Sequence, residues 1–233
     1  MTKKIIPLIV IILFSSTTIS QNLSKEQLDK WINDPDAPIP EVTKKRKINE
    51  GQLTFLDRVK HKDVMHSEIK IVIKPDSLKN GWVTLNQCYR NLDAFPRVEV
   101  IYTQRQIKDL KVLRVEKIAS AKVKGTSVQM EKVQKGATLC VSAQVKSLTK
   151  TSAGYMLENG PYKRKFLDGY FPLRVSVSVS YPGNILKIAG LTPESYNNNA
   201  NTGMLIHKAS NMVRFDATFE GILKTRIDFS KTL

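Results

Sequence analysis

The sequence predicts an all-β protein, an antiparallel β-sandwich, and three observations support that prediction. Apolar and polar residues alternate in run after run from Glu68 to the end of the chain. A side-chain period of two is typical of strands with one buried and one solvated face, as in antiparallel sheets. Glycine-containing turn signals separate these runs. After position 65, no stretch of ten or more residues has helical periodicity.

The first twenty residues have the layout of a secretory signal peptide. Lys3 and Lys4 precede the apolar run 5–14 (IIPLIVIILF), and small polar residues follow up to Ser20. The run is shorter than a membrane span, which needs about 20 apolar residues. We therefore predict export to the periplasm, a mature chain that begins at Gln21 and no transmembrane segment in that chain.

Residues 21–47 are predicted to form a short helix and a linker. Residues 24–33 (SKEQLDKWIN) begin with a capping serine and place Leu28, Trp31 and Ile32 on one face. Residues 34–47 contain three prolines and end in KKRK, a composition that favours an extended chain. In an exported protein we interpret the basic run as a solvated linker or a contact with an anionic surface. We do not interpret it as a nuclear or DNA-binding signal.

Six segments show the alternation most clearly. The clearest is LRVSVSVSY, in which Leu173, Val175, Val177 and Val179 share one face. The predicted strands begin near Ile69, Val98, Leu139, Leu173, Val213 and Leu223. Turn signals lie at Asn80-Gly81, Asn159-Gly160, Asp168-Gly169 and Glu220-Gly221.

A weak internal echo bears on domain organisation. Phe95-Pro96 and Phe171-Pro172 each precede an alternating strand, and each strand is followed by a second apolar stretch. This spacing favours two tandem immunoglobulin-like sandwich units, 48–150 and 151–233, slightly over one larger sandwich.

The chain is strongly basic, with a formal charge of +16, or +14 once Lys3 and Lys4 are removed with the signal peptide. Net charge bears on association and not on fold. Outside the cytoplasm it points to anionic envelope lipid, glycan or acidic envelope protein. Export makes nucleic acid an improbable partner.

Cys88 and Cys140 are the two cysteines of the chain. An isolated pair in an oxidising compartment most often forms one disulfide. Two buried free thiols in separate strands are the alternative. Cys140 alternates with buried-looking positions, so either another segment covers its face or the strand is bulged.

Motifs of known chemistry are missing from the sequence, which implies no catalytic residue, metal site or cofactor. It contains no G-x-S-x-G, S-x-x-K, glycine-rich phosphate loop or H-E-x-x-H. His61 and His66 are interpreted as exposed loop residues rather than as metal ligands, and His207 as a strand-end residue. Whether scattered carboxylates converge in space, as in glycosidases, is left open.

Residues 158–172 (ENGPYKRKFLDGYFP) form the most unusual segment. Three consecutive cations stand among aromatic residues, and cations bind phosphates or carboxylates while aromatic rings stack on sugars or cations. The alternative is a hairpin with a buried aromatic side and a solvated basic side. The candidate ligand-binding residues are Tyr162, Lys163, Arg164, Lys165, Asp168 and Tyr170.

Three segments resemble an uncharacterised family of exported, β-rich proteins of Gram-negative bacteria. They are GWVTLNQCYRNLDAFPRVEVIY, GTSVQMEKVQKGATLCVSA and LENGPYKRKFLDGYFPLRVSVSVSYP, and the likeness extends over residues 48–229 with both cysteines. The resemblance implies a periplasmic setting and assigns no activity.

These observations favour a non-enzymatic protein that binds or supports an anionic envelope component through a basic surface. A hydrolase of envelope glycan, with acids such as Glu158 and Asp168 beside a cleft, is the first alternative. An assembly or chaperone partner that pairs through an exposed strand edge is the second.

Overall fold

The described part of the chain comprises residues 48–102, 106–166, 169–193 and 202–232 of a computed structural model, without the Phe166 side chain. Several predictions from the sequence concern other residues. The signal peptide, the mature start at Gln21, the helix 24–33, the linker 34–47 and Asp168 all lie outside the described residues.

Fifteen strands and one helical turn follow one another along the described residues. They are β1 (Thr54–Phe55), β2 (His66–Val72), α1 (Ser77–Asn80), β3 (Trp82–Leu92), β4 (Phe95–Ile101), β5 (Ile107–Lys124), β6 (Ser127–Lys146), β7 (Leu148–Thr151), β8 (Gly154–Tyr162), β9 (Lys165–Phe166), β10 (Gly169–Tyr170), β11 (Leu173–Ser180), β12 (Leu186–Thr192), β13 (Met204–Ala209), β14 (Met212–Glu220) and β15 (Leu223–Lys231). The prediction of an all-β protein is confirmed.

Two sheets contain most of these strands. The large sheet has nine strands in the order β1-β14-β11-β2-β3-β6-β4, with β13 also paired to β14 and β5 to β6. The small sheet has four strands in the order β12-β15-β8-β7, and β9 and β10 form a separate hairpin. One pair, β2 with β11, is parallel. The prediction of purely antiparallel sheets is therefore wrong at this pair, because alternation reports which face is buried and not strand direction.

The two sheets pack face to face around a shared sandwich core. Alternate residues of the large sheet, such as Val177 on β11 and Phe215 on β14, meet alternate residues of the small sheet, such as Leu157 on β8 and Ile227 on β15. Each is buried, and the intervening residues of each strand face outward. The predicted buried faces of β2, β11, β14 and β15 are confirmed.

A ribbon of long strands carries a second core. It consists of β3 to β6, in which β6 pairs with β3 and then β4 on one side and with β5 on the other. Asn91, Lys117 and Gly136 each have positive φ, at 53°, 56° and 75°. The strand register shifts near these residues, between Tyr89 and Leu92 on β3 and between Glu116 and Ile118 on β5. These aligned bulges bend all three strands together.

The bend lets the ribbon enclose its own apolar side chains. The ribbon core joins residues before and after Gly136 on the same strand, and each of them is buried. Its buried members are Val128, Met130, Val133, Ala137, Leu139 and Val141. Burial on both sides of one bend requires the two halves of the ribbon to face each other.

The predicted division into two tandem immunoglobulin-like units is not confirmed. Residues 48–233 belong to one compact unit. The large sheet also pairs β2, from before position 150, directly with β11, from after it. The two Phe-Pro pairs therefore lie in different structural settings, because Phe95 begins β4 of the ribbon whereas Pro172 precedes β11.

The predicted turns have mixed outcomes. Gly81 ends α1 with φ of 77°, and an added Cβ would lie 2.7 Å from the Leu148 carbonyl oxygen, so the position requires glycine. Glu220-Gly221 separates β14 from β15 as predicted. Asn159-Gly160 is not a turn: both residues lie within β8, where the pairing with β15 shifts register.

Candidate functional site

A cavity of about 270 Å³ lies where the sandwich core meets the ribbon. Its floor is the inner face of the large sheet, formed by alternate residues such as Ile69 and Ile71 of β2 and Val83 and Leu85 of β3. Because β2 and β3 pair with Ile71 opposite Leu85, these apolar side chains form one continuous wall.

Three tyrosines from different elements line the same cavity. Tyr89 comes from β3, Tyr102 follows β4 and Tyr162 ends β8. Burial raises the pKa of Tyr89 well above its ordinary value of 10.0, and the neighbouring Tyr102 adds to this rise. Burial also raises the pKa of Tyr102. Tyr89 and Tyr102 therefore stay neutral and offer hydroxyl groups rather than charges.

Two buried amides supply the other polar groups. Gln87 donates from Nε2 to the Ser67 hydroxyl at 2.9 Å, which holds its side chain in place. Asn159 is 6% exposed, and its Nδ2 has no hydrogen-bond partner among the described residues. A buried donor without a partner costs about 1–3 kcal/mol. Asn159 therefore lines the cavity while its amide nitrogen is buried behind the surface of the cavity.

The chemistry of the cavity suits binding. The described residues that line it include tyrosines, two amides, a serine and apolar side chains, but no acid, histidine, lysine or arginine. An apolar wall with a few fixed polar groups is the usual composition of a small-molecule site.

Arg164 of the predicted basic segment is a structural residue. Its guanidinium forms an ion pair with Asp93, donates to the Pro172 carbonyl oxygen at 3.2 Å and lies 5.9 Å from the centroid of the Phe171 ring. The side chain is 17% exposed. Arg164 therefore anchors the segment to Asp93 of the ribbon and to Pro172 before β11, and a binding surface that includes all three cations stays a prediction.

Lys163 and Lys165 are the exposed cations of that segment. The Lys165 ammonium lies 5.5 Å from the centre of the Tyr170 ring, its partner across the β9–β10 hairpin. Tyr170 is buried, and a Cβ added at Gly51 would lie 3.2 Å from its ring. Of the predicted site residues, Tyr162 therefore lines the cavity. Lys163 and Lys165 come after it in the sequence and are exposed to solvent, and Tyr170 packs within the β9–β10 hairpin.

The disulfide Cys88–Cys140 is confirmed. The two residues are direct partners on β3 and β6, with Cα atoms 4.0 Å apart. Both side chains point to the outer face, opposite the core residues Leu139 and Val141. Cys140 is 6% exposed and pairs directly with Cys88 across the sheet, although it alternates with the core residues Leu139 and Val141.

A polar cluster centred on Asp216 also occupies the outer face. Ser176 donates to Asp216 Oδ2 at 2.6 Å, and Arg174 and Arg214 lie 3.1 and 3.5 Å from the same oxygen. His66 Nε2 is 2.8 Å from the Ser176 hydroxyl. The interpretation of His66 as an exposed loop residue is wrong, because it belongs to β2 and is half-buried.

This cluster does not have the order of a catalytic triad. The serine lies between the histidine and the carboxylate, whereas a nucleophilic serine needs the histidine in the middle. Burial opposes ionisation of Asp216, but hydrogen bonds from Ser176 and Arg174 outweigh it and lower its pKa. Burial, reinforced by Arg174, lowers the pKa of His66. Alternation predicts the outward face of each residue, but the register that joins them across three strands has no signal in sequence.

Of the two acids named for a hydrolase cleft, Glu158 is described and Asp168 lies outside the described residues. Glu158 is exposed on β8, on the face opposite its buried neighbours Leu157 and Asn159. It interacts electrostatically with Arg226 on β15. Within the described ranges, no group of three or more His, Cys, Asp or Glu side chains is arranged to hold a metal ion.

Comparisons of the sequence with protein families and with curated proteins assign no function to this chain. No protein-family model matches the chain, and no curated protein matches it. In the part of the chain that the structure describes, no helix is long and apolar enough to cross a membrane.

Proposed function

We propose that this protein is a non-enzymatic binding protein of the bacterial envelope that takes an amphipathic anion. The apolar part of the ligand enters the cavity, and its anionic group lies against Lys163 and Lys165. The single observation that supports this most is the cavity itself: an apolar wall with neutral hydroxyl and amide groups, lined by Tyr162, which the exposed Lys163 follows directly in the sequence.

The size of the cavity limits the ligand. Small-molecule sites usually have volumes of roughly 300–1,000 Å³, and this cavity of about 270 Å³ lies just below that range. It accommodates one short acyl or aryl group rather than a whole multi-chain lipid.

Export and charge support the setting. The disulfide Cys88–Cys140 suits an oxidising compartment, and the signal-like residues 1–20 and the resemblance to exported bacterial proteins point to the periplasm. With a formal charge of +14 once Lys3 and Lys4 are removed, the mature protein is attracted to anionic envelope surfaces at low ionic strength. N-terminal sequencing of the exported protein should begin at Gln21, and a chain that begins at Met1 contradicts export.

Pairing through a strand edge receives less support. β5 is an 18-residue strand that pairs with β6 alone among the described strands. It carries five lysines and three register shifts. Lysines and bulges are the features by which natural sheets prevent strand addition at their edges.

Two matched fluorescent probes test the proposal. 1-Anilinonaphthalene-8-sulfonate carries an anionic group, and N-phenyl-1-naphthylamine has nearly the same aromatic frame without it. We expect saturable binding of both, with the sulfonate roughly two- to thirtyfold tighter at low salt because two exposed ion pairs contribute about 0.2–1 kcal/mol each. Leu85→Trp fills the cavity and should abolish binding of both probes, whereas Ile188→Trp in the small sheet should not.

Charge reversal separates the lysines from the cavity. Lys163→Glu with Lys165→Glu should lower the affinity of the sulfonate to that of the neutral probe or below it, because the new carboxylates repel the anion. The affinity of the neutral probe should stay unchanged. Lys122→Glu with Lys124→Glu makes the same change of charge at exposed positions of β5 and should have no such effect. Equal loss in both double variants would show that net charge, and not this site, attracts the anion.

A further inference from the structure

A second cavity opens on the opposite face of the large sheet, around Trp82. Its volume is about 300 Å³, and it lies between α1 and the first residues of β3 and β5. Trp82 and Thr84 point outward, whereas Val83 and Leu85 point inward and line the first cavity. The two cavities therefore lie back to back across one strand, and neither shares a side chain with the other.

The indole of Trp82 has a defined setting. The Trp82 backbone N–H donates to Asn80 Oδ1 at 2.9 Å, which holds the start of β3 against the turn. The Lys108 ammonium lies 4.5 Å from the centre of the indole ring. A half-buried tryptophan beside polar groups offers a large apolar surface together with a ring N–H donor.

Hydrogen-bond donors and hydrogen-bond acceptors surround the indole ring of Trp82. Gln144 donates to the Thr84 hydroxyl at 3.0 Å, so both side chains are positioned within the wall. Asp109 adds a carboxylate, which accepts hydrogen bonds, and Lys108 adds an ammonium, which donates them. The lining contains two lysines and two aspartates, so formal charge is balanced within it.

The backbone at Asp109 is strained. Its φ is 55°, in the left-handed region that residues other than glycine rarely adopt, and it lies where the pairing of β5 with β6 shifts between Lys108 and Lys111. Strain of this kind costs of the order of 1–3 kcal/mol, and it is concentrated at functional sites. Here the bulge brings Lys108 and Asp109 to the rim of the same cavity.

We propose that the Trp82 cavity binds a neutral saccharide unit. A sugar ring has an apolar C–H face, which packs on an aromatic ring, and a rim of hydroxyl groups that both donate and accept hydrogen bonds. The indole of Trp82 matches the face, while Asp109, Lys108 and Gln144 match the rim. Balanced charge favours a neutral sugar over a sulfated or carboxylated one.

Saturation-transfer NMR and calorimetric titration with defined trisaccharides test this site. The probes are maltotriose, cellotriose and triacetylchitotriose, with trigalacturonate as the acidic comparison. We expect at least one neutral trisaccharide to bind saturably, with a Kd on the order of 1 mM or tighter, and more tightly than trigalacturonate. Failure of all three neutral probes at millimolar concentration, or a preference for trigalacturonate, would overturn the proposal.

Variants assign binding to the cavity. Trp82→Ala should weaken binding at least tenfold, Trp82→Phe less, and Gln144→Ala severalfold. Gln144→Ala keeps the inference testable if Trp82→Ala fails to fold by circular dichroism. Unchanged binding in a folded Trp82→Ala or Gln144→Ala protein contradicts it.

Tyr162→Ala is the matched control, because it removes an aromatic side chain from the first cavity on the other face. It should leave saccharide binding unchanged, and Trp82→Ala should leave binding of the naphthalene probes unchanged. The two proposals therefore succeed or fail separately.

Discussion

The sandwich core and the ribbon core are built from similar alternating strands but are closed in different ways. In the sandwich, the apolar face of the large sheet is covered by the small sheet. In the ribbon, aligned bulges at Asn91, Lys117 and Gly136 bend three strands until they cover themselves. The first solution needs only alternation, whereas the second needs backbone conformations that side chains disfavour.

The difference between the sandwich core and the ribbon core also explains where the candidate site lies. The first cavity lies where neither the small sheet nor the bent ribbon fully covers the apolar face of the large sheet. This place is between the end of β8 and the end of β4. Packing within each core leaves few voids, so a cavity is most readily kept at the junction of two cores.

The largest expected effect tests whether the two cores unfold as one unit. Phe219 is 0% exposed in the sandwich core, and Phe219→Ala should lower the free energy of unfolding by about 3–5 kcal/mol. Met130→Ala in the ribbon core should cost about 2–5 kcal/mol. Hydrogen exchange measured segment by segment, together with urea denaturation, should show both changes throughout residues 48–232.

Exposed positions provide the control for this prediction. Val123 is 41% exposed on β5, and Val123→Ala should change stability by less than about 0.5 kcal/mol. If Met130→Ala accelerates exchange in the ribbon and leaves exchange in β11 and β14 unchanged, the ribbon unfolds independently. That result would contradict unfolding of the two cores as one unit.

Removal of the bridge should have the next largest effect. Cys88→Ala with Cys140→Ala frees a loop with a sequence separation of 52, and chain entropy predicts a loss of about 4 kcal/mol. Urea denaturation of the oxidised protein and of the double variant measures this loss. Intact mass with and without reductant checks the bridge itself, and a loss below about 1 kcal/mol would mean that the unfolded chain is already constrained.

The bend of the ribbon can be tested at its positive-φ residues. Gly136→Ala should cost about 1–2 kcal/mol, because a Cβ disfavours this conformation although no side-chain clash is present. Lys117→Gly should instead stabilise the protein by up to about 1 kcal/mol by relieving the same strain. Lys122→Gly, at a regular position of β5, should destabilise it by about 0.5–1 kcal/mol. Thermal unfolding compares the three, and equal signs for both lysine variants would contradict the assigned bend.

The smallest effect concerns pH and the outer face of the sandwich. His66 faces Arg174, Glu68, Asp216 and Arg90, and its pKa lies below the ordinary value of 6.5. Because the folded state disfavours protonated His66, stability should fall as pH drops below 6.5 toward the lowered value. His66→Gln should remove this slope, and His61→Gln should not. The Asp216 contribution is lost only at lower pH, below the ordinary value of 3.8.

The functional site was only partly accessible to prediction. Tyr162 was predicted and lines the first cavity, but Arg164 was grouped with its neighbours although it pairs with Asp93, 71 positions away. Trp82 and Asn159 carried no signal, because a tryptophan in an alternating strand and Asn before Gly have common structural explanations. Their neighbours in the two cavities come from other strands, such as β5 and β6, which only the register of the sheets brings together.

Local patterns in the chain were enough to establish the all-β class, the buried faces of β2, β11, β14 and β15, and the pair of cysteines available for a bridge. They suffice because alternation and composition depend on neighbours along the chain. The parallel pair β2–β11, the bent ribbon, the inward Arg164 and both cavities follow from contacts between distant segments. Register and backbone bends are set by packing across the sheets, and a one-dimensional pattern carries almost no record of them.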